Sequence, residues 1–145
     1  MKIPRMTVIT LGVADLARAT AFYREIFSTL PVTQYEGVTF IPLPGVWLSL
    51  YPLDKLAEDI AEEVTLPAAT AFRGFTLAYN ARSKEEIISI FARVAEAGAH
   101  IAKVPQDTFW GGYSGYFTDP DGNYWEVAWG AMFEFSEHGD LRFKA

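Results

Sequence analysis

The segment that decides the fold is Gly115–Trp129, which reads Gly-Tyr-Phe-Thr-Asp-Pro-Asp-Gly-Asn-Tyr-Trp-Glu-Val-Ala-Trp. Its centre, 119–122, is a turn sequence, because proline presets φ and glycine accepts a positive φ without steric cost. Residues of high β propensity flank the turn, so the segment predicts a β-hairpin. In its second strand, alternation places Trp125 and Val127 on one face and Glu126 on the other. A carboxylate at that point of a half-buried strand must face polar groups or a cavity.

Composition narrows the possible functions. The chain has 145 residues, half of them hydrophobic, which is enough for one domain with a sizeable core. It has no cysteine, which excludes disulfides and thiolate metal sites. No apolar run approaches the ~20 residues of a membrane span, and the first residues do not resemble a secretory signal, so we expect a cytoplasmic protein without membrane contact. A net charge of −6 without a basic cluster argues against nucleic acid as a partner and favours a neutral or cationic small-molecule ligand.

The first half of the chain predicts a β-α-β-β-β module. Alternating apolar residues indicate a strand over 5–13, and Asp15 is placed to cap a helix that follows it. Apolar residues at helical spacing continue this helix to about 27–30, where Pro31 ends it. Short β-rich runs separated by glycine and proline then predict three strands, at 32–35, 38–43 and 46–51.

The second half predicts the same module again. A strand at 74–80 precedes a capping box formed by Ser83 and Glu86, and Gly98 is placed to end the helix. Three strands follow, at 100–104, 113–118 and 124–129. Such an internal repeat predicts an α+β fold in which two β-α-β-β-β modules form curved sheets around a cleft, with the helices on the outer faces. We divide the single domain into module 1 (about 5–52), a linker with a short amphipathic helix (about 53–70), module 2 (about 71–130) and a C-terminal tail (131–145).

The motifs of the two modules carry a resemblance to a known family. Leu11-Gly-Val-Ala-Asp15-Leu, the following Ala21-Phe22-Tyr23 and the distant hairpin are together similar to the vicinal oxygen chelate superfamily of glyoxalases, bleomycin-resistance proteins and extradiol dioxygenases. The resemblance covers about 6–129. It implies the paired-module fold and a homodimer, while the chemistry stays open because this superfamily hosts many reactions.

The resemblance also implies where a metal would bind. The metal enzymes of the superfamily have ligand side chains at positions that fall here on Val8, Ser49, Gly74 or Phe75, and Glu126. Only Glu126 matches, and catalytic metal sites generally use about three protein ligands. His100 and His138 lie far from Glu126 in the predicted register, and we interpret both as surface or structural residues. We therefore predict no metal and no cofactor.

The predicted alternation points one set of side chains into the cleft as ligand-binding residues: Val8, Thr10, Trp47, Ser49, Tyr51, Gly74, Thr76, Tyr124 and Glu126. Two further candidates, Trp110 and Tyr113, flank a pair of glycines. They form either a mobile aromatic flap over the ligand or, in the alternative, a loop in which Trp110 packs on the sheet edge. Glu126 itself either faces the ligand or belongs to the fold and bonds neighbouring polar groups.

Three functions fit these features. The first is binding of an aromatic or cationic small molecule without a metal, as bleomycin-resistance proteins of the superfamily sequester a drug. The second is a metal-independent lyase or isomerase in which Glu126 is the acid/base, with Ser49 or a tyrosine hydroxyl orienting the substrate. The third, less favoured, is a metal-dependent glyoxalase or dioxygenase with atypical ligands.

Overall fold

The computed structural model of the chain describes residues 2–27, 31–68 and 71–145. The chain divides into two compact units at the boundary between Ala71 and Phe72. Among the described residues, no helix has both the length and the apolar character needed to cross a membrane. Residues 28–30 of the predicted helix end and 69–70 of the predicted linker lie outside the described residues.

The first unit has the predicted β-α-β-β-β order followed by one further helix. Strand β1 pairs parallel with β4, and β4-β3-β2 are antiparallel, which gives the sheet order β1-β4-β3-β2. The elements are β1 (Val8–Val13), α1 (Leu16–Ile26), β2 (Thr33–Tyr35), β3 (Val38–Ile41), β4 (Trp47–Pro52) and α2 (Leu53–Ile60). The short helix α2 lies where the sequence predicted a linker helix.

The second unit repeats this topology. Its sheet has the order β5-β8-β7-β6, with β5 parallel to β8 and the other pairs antiparallel. Its elements are β5 (Leu77–Asn80), α3 (Lys84–Glu96), β6 (His100–Asp107), β7 (Gly112–Thr118), β8 (Tyr124–Gly130), β9 (Phe133–Phe135) and β10 (Leu141–Phe143). The α+β fold with two β-α-β-β-β modules is confirmed, and the segment predicted as a tail contains the β9–β10 hairpin.

The helix ends follow the local signals in the sequence. Asp15 caps α1, since its carboxylate accepts the N–H of Arg18 at 3.0 Å. Ser83 caps α3 by accepting the N–H of Glu86 at 3.1 Å, but the Glu86 carboxylate accepts the N–H of Arg82 instead of closing the capping box on Ser83. At its other end, α3 stops in a Schellman arrangement around Gly98, whose φ is +95°.

One face of each sheet packs against the helix of its own unit. In the first unit, Leu11, Leu50 and Ile41 are at most 2% exposed. In the second, the rings of Phe117 and Trp125 stack with centroids 6.0 Å apart, and Phe91 of α3 meets Phe117 edge-on at 6.1 Å. Burial of this face fixes the register of every strand, because a slip by one residue would turn the apolar side chains away from the helix.

Three strand boundaries differ from the prediction by three residues. Strand β1 begins at Val8 instead of residue 5. Strand β5 begins at Leu77, because Gly74 has a φ of +81° that no extended strand contains. Strand β6 continues to Asp107, through Pro105, where a loop was predicted. This is possible because β6 is an edge strand and its register to β7 shifts between Lys103 and Gln106, so the missing N–H of proline breaks no ladder bond.

Candidate ligand site on the sheet of the second unit

Cross-strand pairing aligns four residues in a row across the second sheet. Glu126 of β8 lies between Ala78 of β5 and Tyr116 of β7, and Tyr116 in turn pairs with Lys103 of β6. Residues directly opposite one another in a sheet share a face, so these side chains project together. Trp125, the neighbour of Glu126, is 6% exposed on the helix-covered face, which agrees with the predicted alternation.

Tyr116 and Glu126 form a hydrogen-bonded pair. The phenol Oη of Tyr116 donates to Oε2 of Glu126 at 3.0 Å, and both side chains are half-buried. Burial raises the pKa of Tyr116 above its ordinary value of 10, and the hydrogen bond to Glu126 and the negative charge of Glu126 raise it further. Tyr116 is therefore a neutral phenol at physiological pH, able to donate one hydrogen bond and accept others.

A depression of about 460 Å³ opens beside this pair, lined by Phe72, Thr76, Ala102, Lys103, Tyr116 and Tyr124. Its volume is within the range of small-molecule sites. Phe72 and Tyr124 form one wall, in edge-to-face contact with centroids 5.7 Å apart. Its lining residues with polar side-chain groups are Thr76, Tyr116, Tyr124 and Lys103. The site can stack an aromatic ring and hydrogen-bond its substituents.

The hairpin turn positions the aromatic wall. The Asp119 carboxylate accepts the backbone N–H groups of Asp121 and Asn123 and the side-chain amide of Asn123, each at 2.9 Å. Arg73 donates to the side-chain oxygen of Asn123 at 3.0 Å, which ties the residue next to Phe72 to the turn. Asp119 and Asn123 are each 4% exposed, so this network holds the start of β8, and with it Tyr124, in one position.

Five predicted site residues lie in the first unit and share the face of its sheet opposite α1. The pairs Val8–Trp47, Thr10–Ser49 and Gly12–Tyr51 are directly opposite in the register. The hydroxyls of Thr10 and Ser49 are hydrogen-bonded at 2.5 Å. Any side chain at Gly12 would meet Leu53, so α2 lies against this face beside Tyr51.

The two remaining candidates, Trp110 and Tyr113, do not lie beside Glu126. Tyr113 pairs with Trp129 and lies on the opposite face of the sheet, where the Lys84 ammonium is 5.3 Å from its ring. Trp110 lies against the sheet, since a Cβ added at Gly112 would overlap its indole and one at Gly130 would come within 2.9 Å of it. This packing agrees with the alternative in which Trp110 packs on the sheet edge.

Comparison with known proteins identifies the family of the chain. The sequence model of the Glyoxalase/Bleomycin resistance protein/Dioxygenase superfamily matches residues 5–127 of the chain. The chain belongs to this superfamily. A curated relative, Metallothiol transferase FosB from Shouchella clausii, is 29% identical over 133 residues, which cover 90% of this chain and 83% of the relative.

Solved structures agree on the fold. A glyoxalase-related enzyme from Fulvimarina pelagi superposes with a TM-score of 0.86 and 29% identity, covering 99% of this chain and 100% of that one. Lactoylglutathione lyase from Agrobacterium tumefaciens superposes with a TM-score of 0.68 over 93% of this chain and 100% of that one. At 23% identity, the lyase shows a common fold only.

Of the ligand positions that the superfamily resemblance implies, Glu126 alone carries a strong metal-binding side chain. Because Val8 lies seven residues before the N-cap Asp15, its counterpart in the second unit is Thr76, seven before the N-cap Ser83. The sequence alignment that put this position at Gly74 or Phe75 was therefore displaced. Across 2–27, 31–68 and 71–145, no three His, Cys, Asp or Glu side chains are grouped to hold a metal ion. The residues present do not fit the superfamily's metal.

Sequence reasoning missed Tyr116, Lys103, Phe72 and Ala102. Tyr116 could have been found, because counting back across the hairpin from Thr118 and Tyr124 places it opposite Glu126. Lys103 could not have been found in this way, because its cross-strand partner depends on irregular pairing in β6. The register of that strand shifts between Ile101 and Lys103. Phe72 precedes β5 in irregular backbone, for which the sequence has no periodic signal.

Proposed function

We propose that this superfamily member binds a small aromatic molecule, without a metal, in the depression on the second sheet. The observation that carries the proposal is the wall of Phe72 and Tyr124 beside the hydrogen-bonded Tyr116–Glu126 pair. Aromatic walls with a few polar groups at fixed positions are typical of sites for drug-sized ligands. Sequestration of such a molecule, without chemistry, is the function that these features support best.

The charges around Tyr116 refine the ligand class. Lys103 lines the depression, and Glu126 lies on the other side of Tyr116 in the cross-strand row, outside the lining. A ligand therefore meets a positive charge directly and a negative charge nearby. A bare organic cation would gain from Glu126 but lose from Lys103. A neutral aromatic molecule with oxygen substituents, which can accept from Lys103 and Tyr116, fits better than the cationic ligand of the sequence-based hypothesis.

A metal-dependent reaction is disfavoured. One relative is named a metallothiol transferase. In this chain, three of the ligand positions that the superfamily resemblance implies are Val8, Ser49 and Thr76. An aliphatic group and two hydroxyls are not strong ligands for a divalent cation. In their place, the Tyr116 phenol is the group that satisfies the carboxylate.

A screen of indole-, quinoline- and phenol-type fragments by NMR tests the proposal. We expect hits whose amide shift changes cluster on Thr76, Tyr116 and Tyr124. Phe72→Ala should weaken them about two- to tenfold, since an aromatic contact contributes about 0.5–1.5 kcal/mol.

Phe109→Ala is the matched control, because Phe109 is the more exposed phenylalanine of the same unit and does not line the depression. It should leave the affinity unchanged. Equal loss in both variants, or shift changes that map elsewhere, would contradict the proposal.

The Tyr116–Glu126 hydrogen bond also supports the second candidate, a metal-independent lyase or isomerase. A carboxylate beside a neutral phenol can accept a proton from a substrate carbon while the phenol donates to the adjacent oxygen. The measurable sign is uptake of solvent deuterium by 2-oxo and hydroxyketone probes. Uptake that persists in Glu126→Gln would exclude Glu126 as the base. The cytoplasmic location and the homodimer stay predictions.

A further inference from the structure

A second depression lies at the other end of β8, around the β9–β10 hairpin. Its volume is about 430 Å³, and it shares no lining residue with the candidate ligand site. Its lining combines three aromatic rings, two cations and one carboxylate: Ala81, Arg82, Trp129, Gly130, Ala131, Phe133, Glu134, Phe135 and Lys144.

Arg82 is held in place at the entrance to α3. Its guanidinium carbon lies 4.2 Å from the centre of the Phe135 ring, a cation–π contact that restrains the guanidinium beside the depression. Its backbone N–H donates to the Glu86 carboxylate at 2.7 Å. Such a pre-positioned guanidinium loses little entropy when it binds a carboxylate through two parallel hydrogen bonds.

Lys144 supplies the second cation. Its backbone N–H donates to the carbonyl of Met132 at 2.8 Å, which anchors the end of the hairpin beside the depression. Glu134 is the one acidic residue of the lining, so two positive charges face one negative charge. The depression is thus locally positive on a chain whose net charge is −6.

From this arrangement we propose that the depression binds a small aromatic carboxylate. The ring would lie among Trp129, Phe133 and Phe135, and the carboxylate would accept hydrogen bonds from Arg82 and Lys144. This site is independent of the proposed function, because neither its residues nor its ligand class are needed there.

The probes are 1-naphthoate and its neutral analogue 1-naphthamide, followed by amide NMR shifts and tryptophan fluorescence. Naphthoate should shift the amides of Gly130, Ala131 and Phe135, and naphthamide should bind at least about fivefold more weakly, because it lacks the charge that Arg82 recognises. Equal affinity for the two probes, or shifts confined to the sheet around Tyr116, would overturn the proposal.

Three substitutions make the test specific. Arg82→Gln should weaken naphthoate at least about fivefold, while Arg24→Gln, on α1 of the first unit and outside the lining, should not. Glu134→Gln should tighten binding about twofold or more by removing repulsion. Equal loss in both arginine variants would mean that only net charge matters, and weaker binding in Glu134→Gln would contradict the assignment of an anionic ligand.

Discussion

Replacing Tyr116 by phenylalanine removes one oxygen atom and with it the hydrogen bond to Glu126. The bond is 3.0 Å long and joins two half-buried side chains, one of them charged. Hydrogen bonds to charged groups contribute about 1.5–3 kcal/mol when well buried, and neutral ones about 0.5–1.5 kcal/mol. Because water reaches Glu126 in the variant, we expect Tyr116→Phe to lower the free energy of unfolding by about 1 kcal/mol.

A double-mutant cycle isolates that contribution. In a Glu126→Ala background the phenol has lost its acceptor, so Tyr116→Phe should then cost at most a few tenths of a kcal/mol. Urea unfolding followed by circular dichroism gives the four free energies. A coupling energy indistinguishable from zero would refute the pairing on which the proposed function rests.

The same pair predicts a titration. Removing the charge in Glu126→Gln should lower the pKa of Tyr116, which should stay above 10 because burial remains. NMR of the Tyr116 Cζ carbon measures it directly. Since the folded-state pKa is raised above the unfolded value, the associated stability is full below about pH 10 and is lost as the pH rises through the folded pKa. An unchanged pKa in Glu126→Gln would show that burial alone causes the shift.

The remaining predictions concern metal and packing. Purified protein should carry no stoichiometric Zn, Mn, Fe or Ni, and a chelator should leave its melting temperature unchanged; one equivalent of metal per chain would contradict the metal-free site. Gly115→Ala should destabilise the protein by about 1–3 kcal/mol, because its Cβ would lie 2.7 Å from the Lys103 carbonyl oxygen and 2.9 Å from the Pro105 nitrogen. Adding Phe91→Leu to the Gly115→Ala variant should restore only part of the lost stability, since the backbone contacts remain. Full recovery of the free energy of unfolding in chemical unfolding would contradict that cause. Tyr79 has its pKa raised to about 12, first by burial and then by Glu86, so its stabilising effect should be full below about pH 10, be lost toward pH 12 and shrink in Glu86→Gln.

The repeat and its helix ends were predictable because their causes are local. Asp15, Ser83 and Gly98 act through backbone groups within a few residues, and each does so where the sequence predicted. The alternation in β8 was equally readable, since Trp125 and Val127 have no place other than the helix-covered face. These signals were enough to define the module and to put Glu126 on the opposite face.

The strand boundaries were harder to predict from the sequence because tertiary structure determines them. A proline at 105 argued for a loop, but the edge position of β6 and its register shift accommodate it. The β9–β10 hairpin was missed because its turn is made by Ser136 and Asp140, whose side chains bond each other at 3.1 Å, and by Gly139 with a φ of +88°. Such Ser/Asp/Gly turns have a mechanism in sequence, but the surrounding charge suggested a solvated tail.

The candidate site was predictable only where one strand defines it. Thr76, Tyr124 and Glu126 follow from alternation, whereas Lys103 depends on irregular strand pairing. Tyr113 was assigned to the ligand site because alternation within β7 was not counted from the hairpin. That count puts Tyr113 on the same face of the sheet as Trp129, where the Lys84 ammonium lies near both rings. A site assembled from several strands requires their mutual register, which no single segment contains.

The hydrogen bond between Tyr116 and Glu126 has a simple physical explanation. A half-buried carboxylate needs either a cation or hydrogen-bond donors to offset its lost hydration. For Glu126, the directly opposed residue of β7 is a tyrosine whose hydroxyl donates a hydrogen bond to the carboxylate. The phenol thus supplies a donor that offsets part of the hydration the carboxylate loses on burial. The identity of the residue opposite this glutamate is therefore the feature to compare first when superfamily members with and without metal ligands are sorted.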